Sequence, residues 1–287
     1  MWIALALICA LSLAVSDSLT KSALRSGASA ASLGWLRVVV AVPFTLPILL
    51  FIDMPEIDRV MWATLLCAMP FEVLAMVLYA RALKASPMSL TLPFLSLTPV
   101  FLLGVGRIIL GEAIPAQGIV GIALITAGGY SLNFSHRRYG WLGPLRAVWR
   151  EPGSVMMICV ALIFSVTASL LKVGVNHSSA LFYASIYYAA TALSALPIGI
   201  AGLRGIPRAQ YAKIGGAGVL MALMLVTNIA ALSMAEVAYV ISVKRTSLLF
   251  GVLMGWAVFK EEDIKERLAG AALMLAGFVI VVLSSKA

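Results

Sequence analysis

Long apolar runs recur along the whole chain, and short turns rich in proline, glycine and charged residues separate them. A membrane-spanning helix needs about 20 residues at a rise of 1.5 Å each. The pattern therefore predicts an all-α integral membrane protein with ten transmembrane helices. The predicted helices cover Trp2–Ser22, Ser29–Phe51, Val60–Ala82, Met88–Leu110, Ala116–Phe134, Ser154–Gly174, Ala180–Leu203, Lys213–Ala235, Val237–Phe259 and Arg267–Ser284.

Composition supports the same class. Of the 287 residues, 62% are hydrophobic and only 11% are charged, which lies outside the range of soluble domains. The net charge is nevertheless +9, so the basic residues are concentrated in short loops and in interior positions. This balance suits a membrane surface or an anionic ligand, and nothing in the sequence indicates a nucleic-acid partner. We expect a multi-pass protein of the bacterial cytoplasmic membrane.

The two halves of the chain resemble each other. The first half is 1–134, a connection follows at 135–153, and the second half is 154–287. An offset of 149 residues pairs Leu83 with Leu232, Phe101 with Phe250, Gly106 with Gly255, Glu112 with Glu261, Gly121 with Gly270 and Gly128 with Gly277. An offset of 151 pairs Ser18 with Ser169 and Lys21 with Lys172. Each half has five predicted helices, an odd number, so the second copy enters the membrane inverted. The sequence predicts a five-plus-five inverted repeat around a central cavity.

Two adjacent charges interrupt the ninth apolar run. Lys244 and Arg245 lie roughly 10–12 Å below its start by helical rise, inside a hydrocarbon layer of about 30 Å. Each charge costs about 2.5–3.5 kcal/mol at the centre of a membrane helix. Such residues mark either a buried ion pair or an anion-binding site, and we favour the anion site.

The fourth apolar run carries Pro93 and Pro99, with Ser96 and Thr98 between them. Each proline leaves a backbone carbonyl without a helical partner, which is tolerated only where protein or a water-filled cavity satisfies it. The 149-residue offset pairs Ser96 with Arg245. We therefore expect the fourth and ninth runs to face one cavity, although prolines also kink packed membrane helices without lining a cavity.

Other ionisable residues inside apolar runs are few. Asp17 and Glu72 are acids, and Arg37 is a further base. Either acid could couple transport to protons or neutralise Arg37 or Lys244, and these alternatives stay open. Lys172 lies near a predicted helix end and is a further candidate for substrate binding because it recurs in the repeat.

Loop charge predicts the orientation. Connections after odd-numbered helices carry almost all the loop arginines and lysines, whereas those after even-numbered helices carry essentially only Arg59. By the positive-inside rule the odd connections are cytoplasmic, which places both termini outside.

No enzyme motif is present. The sequence has no GxxxxGK[ST], HExxH or GxSxG motif and no cysteine–histidine cluster, so we expect no catalysis, metal or cofactor. The remaining driving force is a gradient of the substrate, a counter-substrate or protons.

The stretch ALKASPMSLTLPFLSLTPVFLLGVGRIILGEAIPAQGIVGIALITAGG resembles the signature of EamA-type members of the drug/metabolite transporter superfamily. The shared features are an alanine-leucine turn, a proline within the helix, a terminal Gly-Glu and a glycine-rich fifth helix. A degenerate copy occurs in the second half. The resemblance implies ten helices around a central cavity, alternating access by rocking of the halves, and cytoplasmic termini, which conflicts with the charge count.

The ninth run is similar to that of the plastid triose-phosphate translocators. There an adjacent Lys-Arg pair holds phosphate, which implies that role for Lys244 and Arg245. Those translocators also use a lysine on the fourth helix, where this chain has only Arg107 near the end. Lys172 or Arg37 could substitute for it.

These observations lead to three hypotheses. The first is a secondary transporter for a small organic anion, such as a phosphorylated or carboxylated metabolite. The second keeps the fold but exports amino acids or amphipathic drugs. The third is a membrane component that handles lipid phosphates.

Overall fold

The structure, a computed structural model, describes residues 1–24, 29–85, 92–132, 152–203, 206–250, 253 and 264–285. These residues form helices and connecting turns, with no strand among them, so the all-α prediction is confirmed for this part of the chain. The predicted connection 135–153 lies outside the described residues except for its last two.

The helices alternate with short connections. Helices α1 to α5 cover Trp2–Leu24, Ala30–Thr45, Arg59–Ala85, Thr98–Leu110 and Ala116–Leu132. Helices α6 to α10 cover Pro152–Asn176, Ala180–Ser194, Tyr211–Leu232, Val237–Lys244 and Ile264–Ser284. Short helical segments flank four of them, at Leu46–Leu50, Leu92–Leu97, Leu196–Ala201 and Arg208–Gln210.

Five helical stretches are long and apolar enough to cross a membrane. They are Trp2–Thr20, Ala30–Leu50, Arg59–Ala82, Pro152–Asn176 and Arg208–Leu232. Shorter apolar helices occupy Phe94–Leu110 and Ala269–Ser284. Several apolar helices of this kind are what a multi-pass membrane protein requires.

Proline explains why two predicted helices lose their regular α-helical geometry before their predicted ends. Pro47 begins the 3-10 turn after α2, and Pro197 begins the short helix after α7. Proline lacks the backbone N–H that would continue the helical hydrogen bonding. The predicted helices Ser29–Phe51 and Ala180–Leu203 are therefore each divided near their last third.

The helices pack in pairs that join the two halves of the chain. The most extensive contacts are α5 with α10, α3 with α6, α1 with α8, α2 with α8 and α4 with α6, and α2 with α7 and α4 with α9 also pack together. Buried apolar side chains from all of these helices form one large core. The broken segments of the fourth and ninth predicted helices meet inside this bundle.

Glycines set the close crossing of α5 and α10. A Cβ atom at Gly277 would lie 2.6 Å from the Gly121 carbonyl oxygen, and one at Gly128 would lie 2.6 Å from the Gly270 carbonyl oxygen. No side chain fits at such distances, so glycine lets the two backbones touch. The glycines matched in the sequence repeat are thus the residues at which these helices cross.

Candidate functional site

The ninth predicted helix is interrupted at its charged residues. Helix α9 ends at Lys244, Arg245 and Thr246 form a turn, and residues 247–250 are helical again. The Thr246 N–H donates to the Val243 carbonyl at 3.0 Å, and the Thr246 hydroxyl donates to the same oxygen at 2.7 Å. These bonds over three residues tighten the chain and end the regular helix. The prediction of one continuous helix over Val237–Phe259 is therefore wrong at Arg245.

The fourth predicted helix is interrupted as well. Leu92–Leu97 forms a 3-10 helix, and α4 begins at Thr98 with Pro99 in its first turn. Proline is favoured there because the first N–H groups of a helix have no helical partner. Pro93 lies within the 3-10 helix, and its side chain is outside the described part. The break expected at the prolines therefore appears as a change from a 3-10 helix to an α-helix at Thr98.

A hydrogen bond joins the two interrupted segments. The Arg245 Nη2 atom donates to the Thr98 hydroxyl at 2.6 Å, and that hydroxyl donates to the Leu95 carbonyl at 2.8 Å. Thr98 and Ser96 are both buried. The Arg245 Nε atom is buried and has no hydrogen-bond partner among the described residues. The guanidinium is thus anchored at one edge and retains donor capacity at another.

Lys244 lies beside this contact. Among the described residues, none forms a hydrogen bond or ion pair with its ammonium group. Glu72, Asp17 and Cys9 are within electrostatic range of it, but Lys244 forms a salt bridge with neither acid. A lysine inside a membrane helix normally lies against a counter-charge or water. Lys244 therefore has acidic groups within electrostatic range but no direct counter-charge among the described residues.

Glu72 on α3 is one of the acids within electrostatic range of Lys244. Its Oε1 atom accepts a hydrogen bond from the Tyr187 hydroxyl at 2.8 Å, which links α3 to α7. Tyr183 lies next to Tyr187, with ring centroids 5.8 Å apart. The acid is thus held by a neutral donor, and the interior contains a carboxylate that no described base pairs with directly.

Asp17 and Arg37 form an ion pair between α1 and α2. The Arg37 Nη1 atom lies 2.6 Å from Asp17 Oδ1, and the Asp17 side chain is 59% exposed. Arg37 Nε, like Arg245 Nε, is buried without a partner among the described residues. The sequence left Arg37 and Lys244 as possible partners of Asp17, and in the structure Asp17 pairs with Arg37.

Lys172 lies elsewhere, at the end of the molecule where α1 begins and α10 ends, which we call the terminal end. Its Nζ atom lies 2.5 Å from Glu112 Oε1 and 2.5 Å from the Ala235 carbonyl oxygen. A cavity of about 400 Å³ at this end is lined by both charged residues. The structure places Lys172 at the start of α9 and away from the interruptions at Thr98 and Arg245.

Sequence reasoning missed the structural role of Glu112, which it recognised only as a repeat match. The available signal was the Gly111-Glu112 pair at the end of α4. Gly111 adopts a left-handed conformation with φ of 70°, which ends the helix as such glycines commonly do. Cys9 was also missed as a neighbour of the site: its thiol lies 3.8 Å from Asn228 Oδ1.

Metal binding finds no support in the described residues. No group of three or more histidine, cysteine, aspartate or glutamate side chains there is arranged to hold a metal ion. Cys9, Cys67 and Cys159 are free thiols. The polar groups described above provide amine and guanidinium donors, the carboxylates of Asp17, Glu72 and Glu112, and several hydroxyls.

Comparison with known proteins gives a family and a fold. Among curated proteins, none matches this chain. A solved structure described only as a crystal structure of a protein is 15% identical, with a TM-score of 0.78 over 99% of this chain and 97% of that one. This likeness shows a shared fold. The model of the EamA-like transporter family matches residues 1–134. Over these residues the chain is similar to the EamA-like transporter family.

Proposed function

We propose that the protein is a secondary active transporter for a small organic anion, such as a phosphorylated or carboxylated metabolite, working by alternating access. The observation that carries this proposal is the pair of interrupted helices inside the bundle. One interruption presents Lys244 and Arg245, and the other presents Thr98. Transporters of this architecture bind their substrates at discontinuous helices in corresponding positions of the two halves.

The charge balance of the interior favours an anion. Arg37 and Asp17 offset each other, which leaves Lys244 and Arg245 near the carboxyl group of Glu72 in the described part of the interior. Each unpaired cation in a membrane helix costs about 2.5–3.5 kcal/mol, and an anionic substrate would offset part of that cost. Arginine suits bidentate contact with a carboxylate or phosphate, and lysine supplies a point charge.

The packing supports a five-plus-five inverted repeat of ten helices. The contact of α1 with α8 is repeated by that of α6 with α3, as exchange of the two halves requires. Gly121 meets Gly277 while Gly128 meets Gly270, although the sequence repeat pairs Gly121 with Gly270. Such crossed pairing is expected where two equivalent helices pack about a two-fold axis.

Rocking of the two halves would expose the site alternately to the two faces of a cell membrane. The driving force is then a gradient of protons or of a counter-substrate. Glu72 and Asp17 are the candidates for coupling transport to protons. We favour Glu72, because Asp17 already offsets the charge of Arg37. Lys172 takes no part in substrate binding in this proposal.

The first test is a thermal-shift panel on the purified protein. Phosphorylated sugars, nucleotide sugars, dicarboxylates, amino acids and cationic drugs are each added to the wild type and to the Lys244→Gln/Arg245→Gln variant. A ligand at one hundred times its dissociation constant stabilises the folded state by about 2.7 kcal/mol. We expect one anionic class to stabilise the wild type and to bind the variant roughly 100-fold or more weakly, since each charge-assisted hydrogen bond contributes about 1.5–3 kcal/mol.

The matched control is Arg59→Gln/Arg208→Gln. It removes two positive charges at exposed positions, so it controls for the change in net charge. Stabilisation of both double variants by the same anion would contradict the anion site. Equal stabilisation by amino acids or cationic drugs would instead favour an exporter of those compounds, and co-purified isoprenoid phosphate would favour lipid-phosphate handling.

A further inference from the structure

The terminal end of the molecule is held together by one carboxylate that contacts several elements. Glu112 follows directly after Gly111, whose N–H donates to the Arg107 carbonyl at 3.1 Å. The left-handed turn at Gly111 directs the chain away from the axis of α4. Glu112 is thereby placed against the start of α9 and the end of α6.

Both oxygens of Glu112 are used. Oε2 accepts a hydrogen bond from the Val237 N–H at 2.8 Å, and Oε1 lies 3.2 Å from the same nitrogen. Val237 is the first residue of α9, so the carboxylate caps the positive end of that helix. Oε1 also accepts from Lys172 Nζ. Lys172 in turn donates to the Ala235 carbonyl, which precedes the same helix.

These contacts cross between the two halves of the chain. Glu112 belongs to the first half, whereas Lys172, Ala235 and Val237 belong to the second. Both charged side chains are largely buried, with 11% of Glu112 and 13% of Lys172 exposed. We call Glu112 and Lys172 the terminal ion pair. Any motion that separates the halves at this end must break it.

The terminal ion pair is coupled to the anion site through α9. Lys244 lies seven residues after Val237, which is about 10 Å by helical rise. Helices α4 and α9 are therefore joined at two points, by Glu112 with Val237 and by Thr98 with Arg245. Loss of the contact between Glu112 and Val237 would free the start of α9, the helix that ends at Lys244.

We propose that Glu112 and Lys172 form the gate that closes the transport pathway at the terminal end, and that the structure shows this gate closed. The proposal rests on the function proposed above, because it assumes a pathway through the bundle. Opening separates the carboxylate from the ammonium group and from the start of α9. Lys172 then acts as a gating residue, in place of the substrate-binding role expected from the sequence.

An ion pair suits this role because its parts can be hydrated when they separate. The adjoining cavity of about 400 Å³ is lined by Glu112, Lys172, Glu236 and Ser233, so water has room beside both charges. A buried ion pair contributes less net stability than its contacts suggest, because desolvation opposes the attraction. When Glu112 and Lys172 separate into water, both charges regain hydration free energy. The closed and open forms can therefore be close in free energy.

A second pair at the same end provides a matched comparison. Asp58 Oδ2 lies 2.6 Å from His177 Nδ1, and this pair also joins the first half to the second. Its side chains are 50% and 41% exposed, respectively. Water screens such a pair, so it contributes little to holding the halves together. Asp58→Asn is therefore the control for Glu112→Gln.

The reporter is the native thiol of Cys9. It is buried, lies seven residues into α1 from the terminal end and is within electrostatic range of Lys244. In a background with Cys67→Ser and Cys159→Ser, the rate of Cys9 labelling by a hydrophilic maleimide measures how often this end opens. We expect labelling to be about tenfold faster in Glu112→Gln, equivalent to about 1.4 kcal/mol, with Asp58→Asn close to the wild-type rate.

A second variant separates gating from local damage. Glu112→Gln/Lys172→Gln removes both charges, so no unpaired charge is left, and it decides the question if the single variant does not fold. The gate predicts fast labelling in this double variant too. A return to the wild-type rate, or an unchanged rate in Glu112→Gln, would overturn the proposal.

The experiment is independent of the substrate. Labelling is measured without any ligand, so an unchanged rate leaves the anion panel untouched and refutes only the gate. Fast labelling together with a panel that shows no anion binding would retain the gate and reject the anion site.

Discussion

Lys172 and Lys244 are both lysines within apolar segments, yet the structure treats them in opposite ways. The ammonium of Lys172 contacts a carboxylate and a backbone carbonyl at the terminal end. Within the described part of the chain, the ammonium of Lys244 is hydrogen-bonded to nothing. One lysine has a direct partner for its charge, and the other has only acids within electrostatic range in the described part of the chain.

The comparison indicates how a lysine that stabilises a membrane protein can be distinguished from one that binds a ligand. Both lysines bear a desolvation cost on insertion, and a partner offsets part of it. Where the protein supplies the partner, removing the lysine leaves a charge behind. Where it does not, removing the lysine relieves a cost. The two substitutions should therefore change stability in opposite directions.

The largest effect is expected for Lys172→Met. This change leaves Glu112 largely buried without its cation, and breaking a buried pair costs roughly 3–5 kcal/mol. We expect a clear fall in the melting temperature of the purified protein, measured by size-exclusion chromatography after heating. Restoration of part of the stability by Lys172→Met/Glu112→Gln would confirm that the unpaired carboxylate is the cause. A variant as stable as the wild type would show that the pair contributes nothing.

The effect of Lys244→Met should be smaller and of the opposite sign. The change removes an uncompensated charge, so we expect a gain of about 1–3 kcal/mol, measured in the same heating assay without ligand. Anion binding should weaken at the same time. A loss of stability comparable to that of Lys172→Met would mean that Lys244 has a structural partner, and the comparison would fail.

The smallest effect concerns the exposed Asp58–His177 pair. The Met61 N–H, followed by the neighbouring His177, lowers the pKa of Asp58 below its ordinary value of 3.8. A lowered folded-state pKa contributes stability that is present above the ordinary value and is lost as pH falls through the folded-state value. The small difference in melting temperature between wild type and Asp58→Asn should thus be constant near neutral pH and shrink below pH 3.8. A difference that grows on acidification would contradict this assignment.

Several features of the site followed from the sequence. Pro99 predicted a break in the fourth apolar run because proline cannot continue a helix, and α4 begins beside it. The offset between the halves predicted that this break would face Lys244 and Arg245, and the bond from Arg245 to Thr98 joins the two segments. Local chemistry and the repeat were sufficient for this much.

Other features required contacts that the sequence does not encode locally. Asp17 could have paired with Arg37 or Lys244, and its pairing with Arg37 depends on how α1 lies against α2. Glu112 reaches Lys172 across 60 positions of the chain. The Tyr187 hydroxyl, among three tyrosines on α7, is the one bonded to Glu72. Helix rotation and packing angle select such partners.

The sequence by itself determined that this is an all-helical membrane protein with charges at a broken helix, because apolar run length, proline and the cost of burying charge act locally. Tertiary structure alone decided which charges are compensated. An ionisable side chain has several possible partners within a few ångströms of its helix, and the energy of each pair depends steeply on distance and on exclusion of water. That choice pairs Lys172 with Glu112 and leaves Lys244 without a direct partner among the described residues.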